Sequence, residues 1–376
     1  MVGSSFEPPV NGANRFAHID ALRAYAVLVV VLAHAGLGHV IPGGSGVTVF
    51  FSISGFIITF LVLRERDKTG GFSIGSFYAR RAIKILPPLF FAIALPTLIY
   101  QLWKPISWRD FAGEIFFYYN WIKADGGGDV LPGSGVVWSL SIEEQFYIVF
   151  ALIWIILVKV KYWKQILACI AVFGILSSTL LRIVLVQWNE SASRIYYGSD
   201  TRLDGIAWGI LVAIAYHSWL SRGGTSSRGA RFFGHPFSFL LAIFLYLASL
   251  SIRDELFRDT FRFSLQSIST CLIIAYGLMP GGGFIRTQFY RVSQSSFVSR
   301  IGLASYSIYL VHLVIMSQLF LFTASWPMPL TLAFLASIGV GVGYLMYIYV
   351  EVPVMRLKAR RTKTVGGVQG RAAASL

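Results

Sequence analysis

Residues 19–36 read IDALRAYAVLVVVLAHAG. An apolar run of this kind admits two readings. Ala24–Ala35 has the length of a signal-peptide core, and Ala33-His34-Ala35 matches the small-residue pattern of a cleavage site. Kept in the chain, the same run is a first transmembrane helix. The sequence on either side decides for the second reading.

Working outward, apolar runs of about 17–25 residues, long enough to cross a bilayer, are expected at 21–39, 46–63, 84–101, 142–158, 165–186, 203–220, 236–252, 264–280, 301–322 and 329–350. A shorter run at 111–122 is expected to be interfacial or re-entrant. With 21–39 kept as a span, one set of alternate connections holds 23 of the 32 Lys and Arg residues and the other holds 8, with Arg182 inside a span. Positively charged connections stay on the cytoplasmic side. The asymmetry therefore predicts an even number of spans and two cytoplasmic termini, and removing the first run would break it. The expected fold class is an all-α integral membrane protein of about ten transmembrane helices. Expected boundaries are a cytoplasmic lead at 1–20, a membrane domain at 21–356 and a disordered basic cytoplasmic tail at 357–376.

Composition agrees. The chain is 56% hydrophobic and 13% charged, where soluble domains carry about 25% charged residues. Its mean hydropathy is +0.66, so the excess apolar surface needs lipid around it. The net charge of +15 lies between the apolar runs, which makes it a topology signal and argues against a nucleic-acid partner. Cys169 and Cys271 stand alone in apolar runs. No metal-spaced His/Cys cluster, Gly-rich phosphate loop or G-x-S-x-G elbow occurs, and no metal is expected. No inverted internal repeat stands out. Oligomeric state is not legible.

Ionisable groups inside spans are costly and point to function. Arg23 and His34 are eleven residues apart, about three turns and about 16 Å on a helix, hence on one face. An imidazole near neutrality is a candidate general base. A His bonded to a neighbouring helix, with Arg23 reaching for the interface, is the plainer alternative. Glu143 and Glu144, in VVWSLSIEEQFYIVF, are expected to open a span from the outer side, one facing inward and the other the rim. A mere dipole interaction would explain a lone Glu at a helix start. Here Trp138, Ser139, Ser141, Gln145 and Tyr147 make the entrance unusually polar. In the segment 50–56, Phe51, Ser54 and Gly55 suit either close helix packing or a passage for a thin ligand. Arg80, Arg81 and Lys84, before Pro87 and Pro88, suit lipid anchoring or a dock for cofactor phosphates. Arg202, Asp204, His312 and Glu351 are weaker candidates.

In order and spacing these elements resemble the acyltransferase 3 family of multipass membrane acyltransferases, which modify sugars of bacterial surface glycans, lipids and glycosylated molecules. The resemblance rests on Asp20-x-Leu22-Arg23 with His34, Phe50-Phe51-x-x-Ser54-Gly55, the basic-then-proline stretch 80–88, Trp138–Tyr147, and Tyr306-Ser307-x-Tyr309-x-x-His312. It implies that Arg23 and His34 are central to activity, that a Glu of the 138–147 segment supports them, and that acyl-CoA is the donor. Lys84 departs from the Arg-x-x-Arg usual before the proline; it keeps the charge and loses the fork. No appended soluble domain is expected.

The expected function is O-acyl transfer, with acetyl as the default group, from acetyl-CoA to a hydroxyl of a sugar or glycan at the cell (inner or plasma) membrane. Arg80, Arg81 and Lys84 would hold the donor, together with Phe51, Ser54, Gly55, Trp138, Ser139, Glu144, Arg202, Asp204 and His312. His34, assisted by Glu143 and Arg23, would deprotonate the hydroxyl, or carry the acyl group itself. Membrane lipid is the other expected partner. The competing class is a proton-coupled transporter or flippase, which would move its substrate unmodified. A third is a non-catalytic membrane assembly or sensing protein, indifferent to loss of His34 and Glu143.

Overall fold

The structure is a computed structural model that describes residues 10–11, 15–224 and 227–357. Apart from a two-residue antiparallel strand pair, Val10–Asn11 with Arg15–Phe16, the fold is all-helical. Ten helices form its body. They are α1 (Ala17–Leu37), α2 (Gly44–Thr69), α3 (Ile74–Tyr100), α4 (Ser134–Leu157), α5 (Trp163–Gln187), α6 (Ala192–Ser221), α7 (Pro236–Ser251), α8 (Arg262–Leu278), α9 (Ser296–Thr323) and α10 (Met328–Leu357). Among the described residues, eight of these are long and apolar enough to cross a membrane. The two shorter ones are α7, bent by 61° against the preceding helix Arg228–Gly234, and α8. Large apolar side chains such as Ile156, Phe173, Leu180, Phe244 and Leu321 are exposed along these helices, as lipid-facing surfaces are.

The sequence expectation placed several starts too late. α1 begins at Ala17 rather than at 21, because the polar Asp20 favours its first turn. α4 reaches back through Trp138-Ser139-Leu140-Ser141, because serine hydroxyls are satisfied within the helix: Ser141 donates to the Val137 carbonyl at 3.2 Å. Glu143 and Glu144 therefore sit well inside α4, not at its opening. The 111–122 run is two short helices, Trp108–Ile115 and Tyr119–Ala124. The basic tail lies, beyond Leu357, outside the described residues.

At the centre α2 runs along α6, with α1 and α8 on its flanks. Glycines set that approach. A Cβ on Gly55 would lie 2.0 Å from the Ile206 carbonyl oxygen, and one on Gly209 would lie 2.2 Å from that of Ser52. α9 packs on α1 and α10, α5 on α6, and α7 on α8. A buried ion pair ties α5 to α6: Arg182 bonds Asp204 at 2.8 Å, and Ser264 of α8 donates to the same carboxylate at 2.6 Å.

Candidate active site

α1 ends in a turn of π-helix, Ala33–Leu37, with Gly36 at φ +135°, a conformation that glycine adopts without strain. The break leaves His34 on the last turn with an open face on a cavity of about 210 Å³. Asp129, Lys123, Trp138, Tyr196 and Tyr197 line the same cavity. Asp129 and Lys123 pair at 3.3 Å.

His34 Nδ1 lies 2.9 Å from Nε2 of His312, and the two rings stack at 5.1 Å. His312 is buried, and its Nδ1 lies 2.7 Å from the Tyr309 carbonyl and 3.1 Å from the Ile308 carbonyl. Carbonyl oxygens only accept, so that Nδ1 carries hydrogen and, in the neutral ring, Nε2 accepts. His34 must then donate from its own Nδ1. Its Nε2 keeps a lone pair, which is the state a general base needs.

A second cavity, of about 300 Å³, is lined by Arg23, Arg80, Arg81 and Lys84 together with Phe50, Ser54, Ser139, Glu143 and Tyr147. Arg81 bonds Glu144 at 3.0 Å and lies over the Tyr147 ring, whose hydroxyl donates to Glu143 at 3.1 Å. Arg80 pairs with Glu65 at 2.8 Å. Four cations against one lining carboxylate suit phosphates.

Among the described residues, Tyr309 is the one side chain on both linings. Its hydroxyl lies 2.7 Å from Ser139 Oγ and donates to the Val136 carbonyl at 3.1 Å, and its ring meets Phe50 edge-on at 6.0 Å. The two cavities therefore back onto each other across this tyrosine.

The expected residues divide accordingly. Arg23, Arg80, Arg81, Lys84, Ser54, Ser139 and Glu143 line one cavity, and His34 and Trp138 the other. Glu143 was expected beside the imidazole; it lies instead with Arg81 and Tyr147, and His312 is the group that bonds His34. Arg23 shares a helix with His34 but opens on the other cavity. Glu144 and His312 line neither cavity; they bond Arg81 and His34, which do. Phe51 and Gly55 are core packing, because they face α6 rather than the cavity. Arg202 and Asp204 line neither cavity. Arg202, 1% exposed, sits among the rings of Phe51, Trp138, Tyr196 and Phe263 and bonds the Tyr196 carbonyl and Thr48. It steadies two aromatic walls of the His34 cavity.

The sequence reading passed over Asp129, Lys123, Tyr196 and Tyr197, and quoted Tyr309 only as part of the motif that ends at His312, without a role in the site. For Tyr309 a signal existed, since it lies one helical turn before His312. Glu114, on the short helix Trp108–Ile115, was also missed. Burial pushes its carboxyl up to about 8, toward the protonated form. Asn120, Gln145 and Ser199 fasten the second short helix to α4 and α6 and hold the Tyr197 carbonyl.

A family model described as Acyltransferase domain matches residues 16–348. A Staphylococcus aureus (strain COL) protein with a provisional O-acetyltransferase name is 31% identical over 311 residues, 80% of this chain and 50% of its own length. The O-acetyltransferase OatA of S. aureus (strain NCTC 8325 / PS 47) is 27% identical over 307 residues, 78% of this chain and 49% of its own. The chain thus spans about half the length of the curated relatives it matches. No solved structure matches it.

Proposed function

The chain belongs to the acyltransferase family whose model covers residues 16–348, and on that premise we propose that it moves an acyl group, acetyl by default, from acyl-CoA to a sugar hydroxyl across a bacterial cell membrane. In this reading all ten helices span, residues 21–356 are the catalytic domain between a short lead and a basic tail, both termini are cytoplasmic, and the Arg81–Lys84 cavity opens to the cytosol. The names of its relatives support O-acetyl transfer.

The CoA phosphates rest on Arg80, Arg81 and Lys84, and the pantetheine arm follows Phe50 and Ser54 toward Tyr309. The acceptor enters the opposite cavity. Its hydroxyl gives its proton to His34 Nε2 as the oxygen attacks the thioester carbonyl. The C–S bond breaks and the thiolate leaves on the donor side. His312 holds His34 in the tautomer that accepts the proton. Lys123 and Asp129 contribute charge around the acceptor. Holding both reactants at the Tyr309 partition supplies proximity. The observation that carries this reading is the His34–His312 pair, fixed by two backbone carbonyls, opening on a cavity that abuts the cationic one.

The test is transfer of label from radiolabelled acetyl-CoA into glycan by membrane vesicles. Substituting His34→Ala should lower the rate by about 10²- to 10⁴-fold, the range of general-base catalysis, at equal protein level. Transfer at the wild-type rate would refute the role of His34. Movement of glycan without labelling would favour a carrier.

A further inference from the structure

The His34 cavity continues into a third space of about 370 Å³: Gly43, Gly44, Tyr196 and Tyr197 line both. Gly44 keeps the junction open, since a Cβ there would lie 2.4 Å from the Tyr196 hydroxyl. Around the third space stand Arg258, Asp259, Arg262, Phe263 and Gln266.

Its two arginines differ from the ion-paired ones. Arg81, Arg182 and Arg194 each meet a carboxylate at 2.6–3.0 Å. Among the described residues, no carboxylate lies within 4.0 Å of Arg258 or Arg262, though both are half-buried. Arg262 lies over the Phe263 ring, 5.1 Å from its centre. Gln266, 1% exposed on the same lining, has an Oε1 with no hydrogen-bond partner. Two guanidinium groups without a carboxylate partner and an unpartnered amide oxygen, on a cavity that leads to His34, are donors and an acceptor arranged for a ligand. Tyr196 and Tyr197 meet edge-on at 4.9 Å where the two spaces join, offering aromatic faces for a sugar ring.

We infer that the acceptor is an anionic saccharide, whose carboxylate or phosphate is held by Arg258 and Arg262 while a hydroxyl on the same molecule reaches His34. Asp259 and Gln266 take neighbouring hydroxyls. The inference rests on the acyl-transfer reading above and adds the acceptor's charge class. It makes the Arg258–Arg262 cavity a specificity site, remote from the reacting atoms.

Two measurements test it on the full chain. In the first, glucuronic acid, glucose 1-phosphate and glucose are titrated calorimetrically onto the purified protein, wild type and Arg258→Gln/Arg262→Gln. At least one anionic probe should bind at least about tenfold tighter than glucose, and the double variant should lose that preference. Arg262→Lys, which keeps the charge, should retain part of it. Whichever anionic probe is preferred identifies the source as carboxylate or phosphate. Equal binding of glucose, no anionic binding to wild type, or an unchanged double variant of confirmed fold overturns the inference. In the second, labelled glycan from the vesicle assay is run on an anion exchanger. Retention is expected, and neutral product overturns the inference while leaving acyl transfer intact. His34→Ala membranes that transfer at full rate would instead remove the catalytic premise, and the titration would still report on the cavity.

Discussion

His34 is set up by its neighbour. A lone imidazole in a cavity can carry hydrogen on either nitrogen, and the tautomer with hydrogen on Nε2 would present N–H where a lone pair is needed. Two carbonyls on α9 fix His312, and His312 fixes His34. His312→Ala should therefore lower kcat by about 10²-fold or more, as loss of a tautomer-fixing partner does, with KM for acetyl-CoA little changed. Because the two rings act as a unit, His34→Ala/His312→Ala should be no slower than His34→Ala alone. Steady-state transfer rates in vesicles check both, and a fully additive double variant would contradict the coupling. His34 was legible in the sequence because an ionisable group within an apolar run is expensive and so conspicuous. Asp129 was not, because a carboxylate after Gly126-Gly127-Gly128 looks like any solvated loop. Glu143 was legible as a carboxylate facing the protein interior, and it lines a cavity, but its partner was not: which helix face meets which neighbour is decided by packing.

At the scale of elements, the α2–α6 crossing constrains the site, since Thr48 of α2 and Tyr196 and Arg202 of α6 reach the wall of the His34 cavity from it. Gly55→Ala would press a methyl into the Ile206 carbonyl and force the helices apart. Overpacking of this kind costs about 1–3 kcal/mol. Gly209→Ala opens the same crossing, so the double variant should be less destabilised than the sum of the two. Thermal unfolding in detergent measures this, and strict additivity would mean that the two glycines act separately. Element existence was readable because bilayer thickness dictates the length of an apolar run. Element starts were less so: Ser139 and Ser141 look like loop residues by composition, but in the helix their hydroxyls are satisfied by bonds back to the preceding turn. The short helices between α3 and α4 showed in the sequence as the 111–122 run, expected to be interfacial or re-entrant; its division into two helices did not show, because neither is long enough to display a span's period.

For the whole molecule, the proposed orientation places the α1–α2 connection outside the cell and the α2–α3 connection inside. Val40 is exposed on the first, and Lys68 is exposed in the last turn of α2, next to the second. In a background without Cys169, which is exposed, Val40→Cys should react with a membrane-impermeant maleimide on intact cells, and Lys68→Cys only after lysis. The reverse pattern would invert the orientation and, with it, the assignment of donor and acceptor cavities. The charge asymmetry of the connections is what predicts this orientation. The pair of opposed cavities was not legible, because it arises from side chains of six helices meeting.

The partition at Tyr309 has an electrical consequence. Where two aqueous recesses approach from opposite faces, the membrane potential falls mostly across the thin barrier between them instead of over the full bilayer. On the proposed route a proton is left on His34 on one side and a thiolate on the other, so each turnover separates about one elementary charge across that barrier. Such a charge is worth about 2.3 kcal/mol for each 100 mV. In a cell whose interior is negative the separation runs uphill, and turnover in sealed vesicles should rise when a potential of that sign is collapsed.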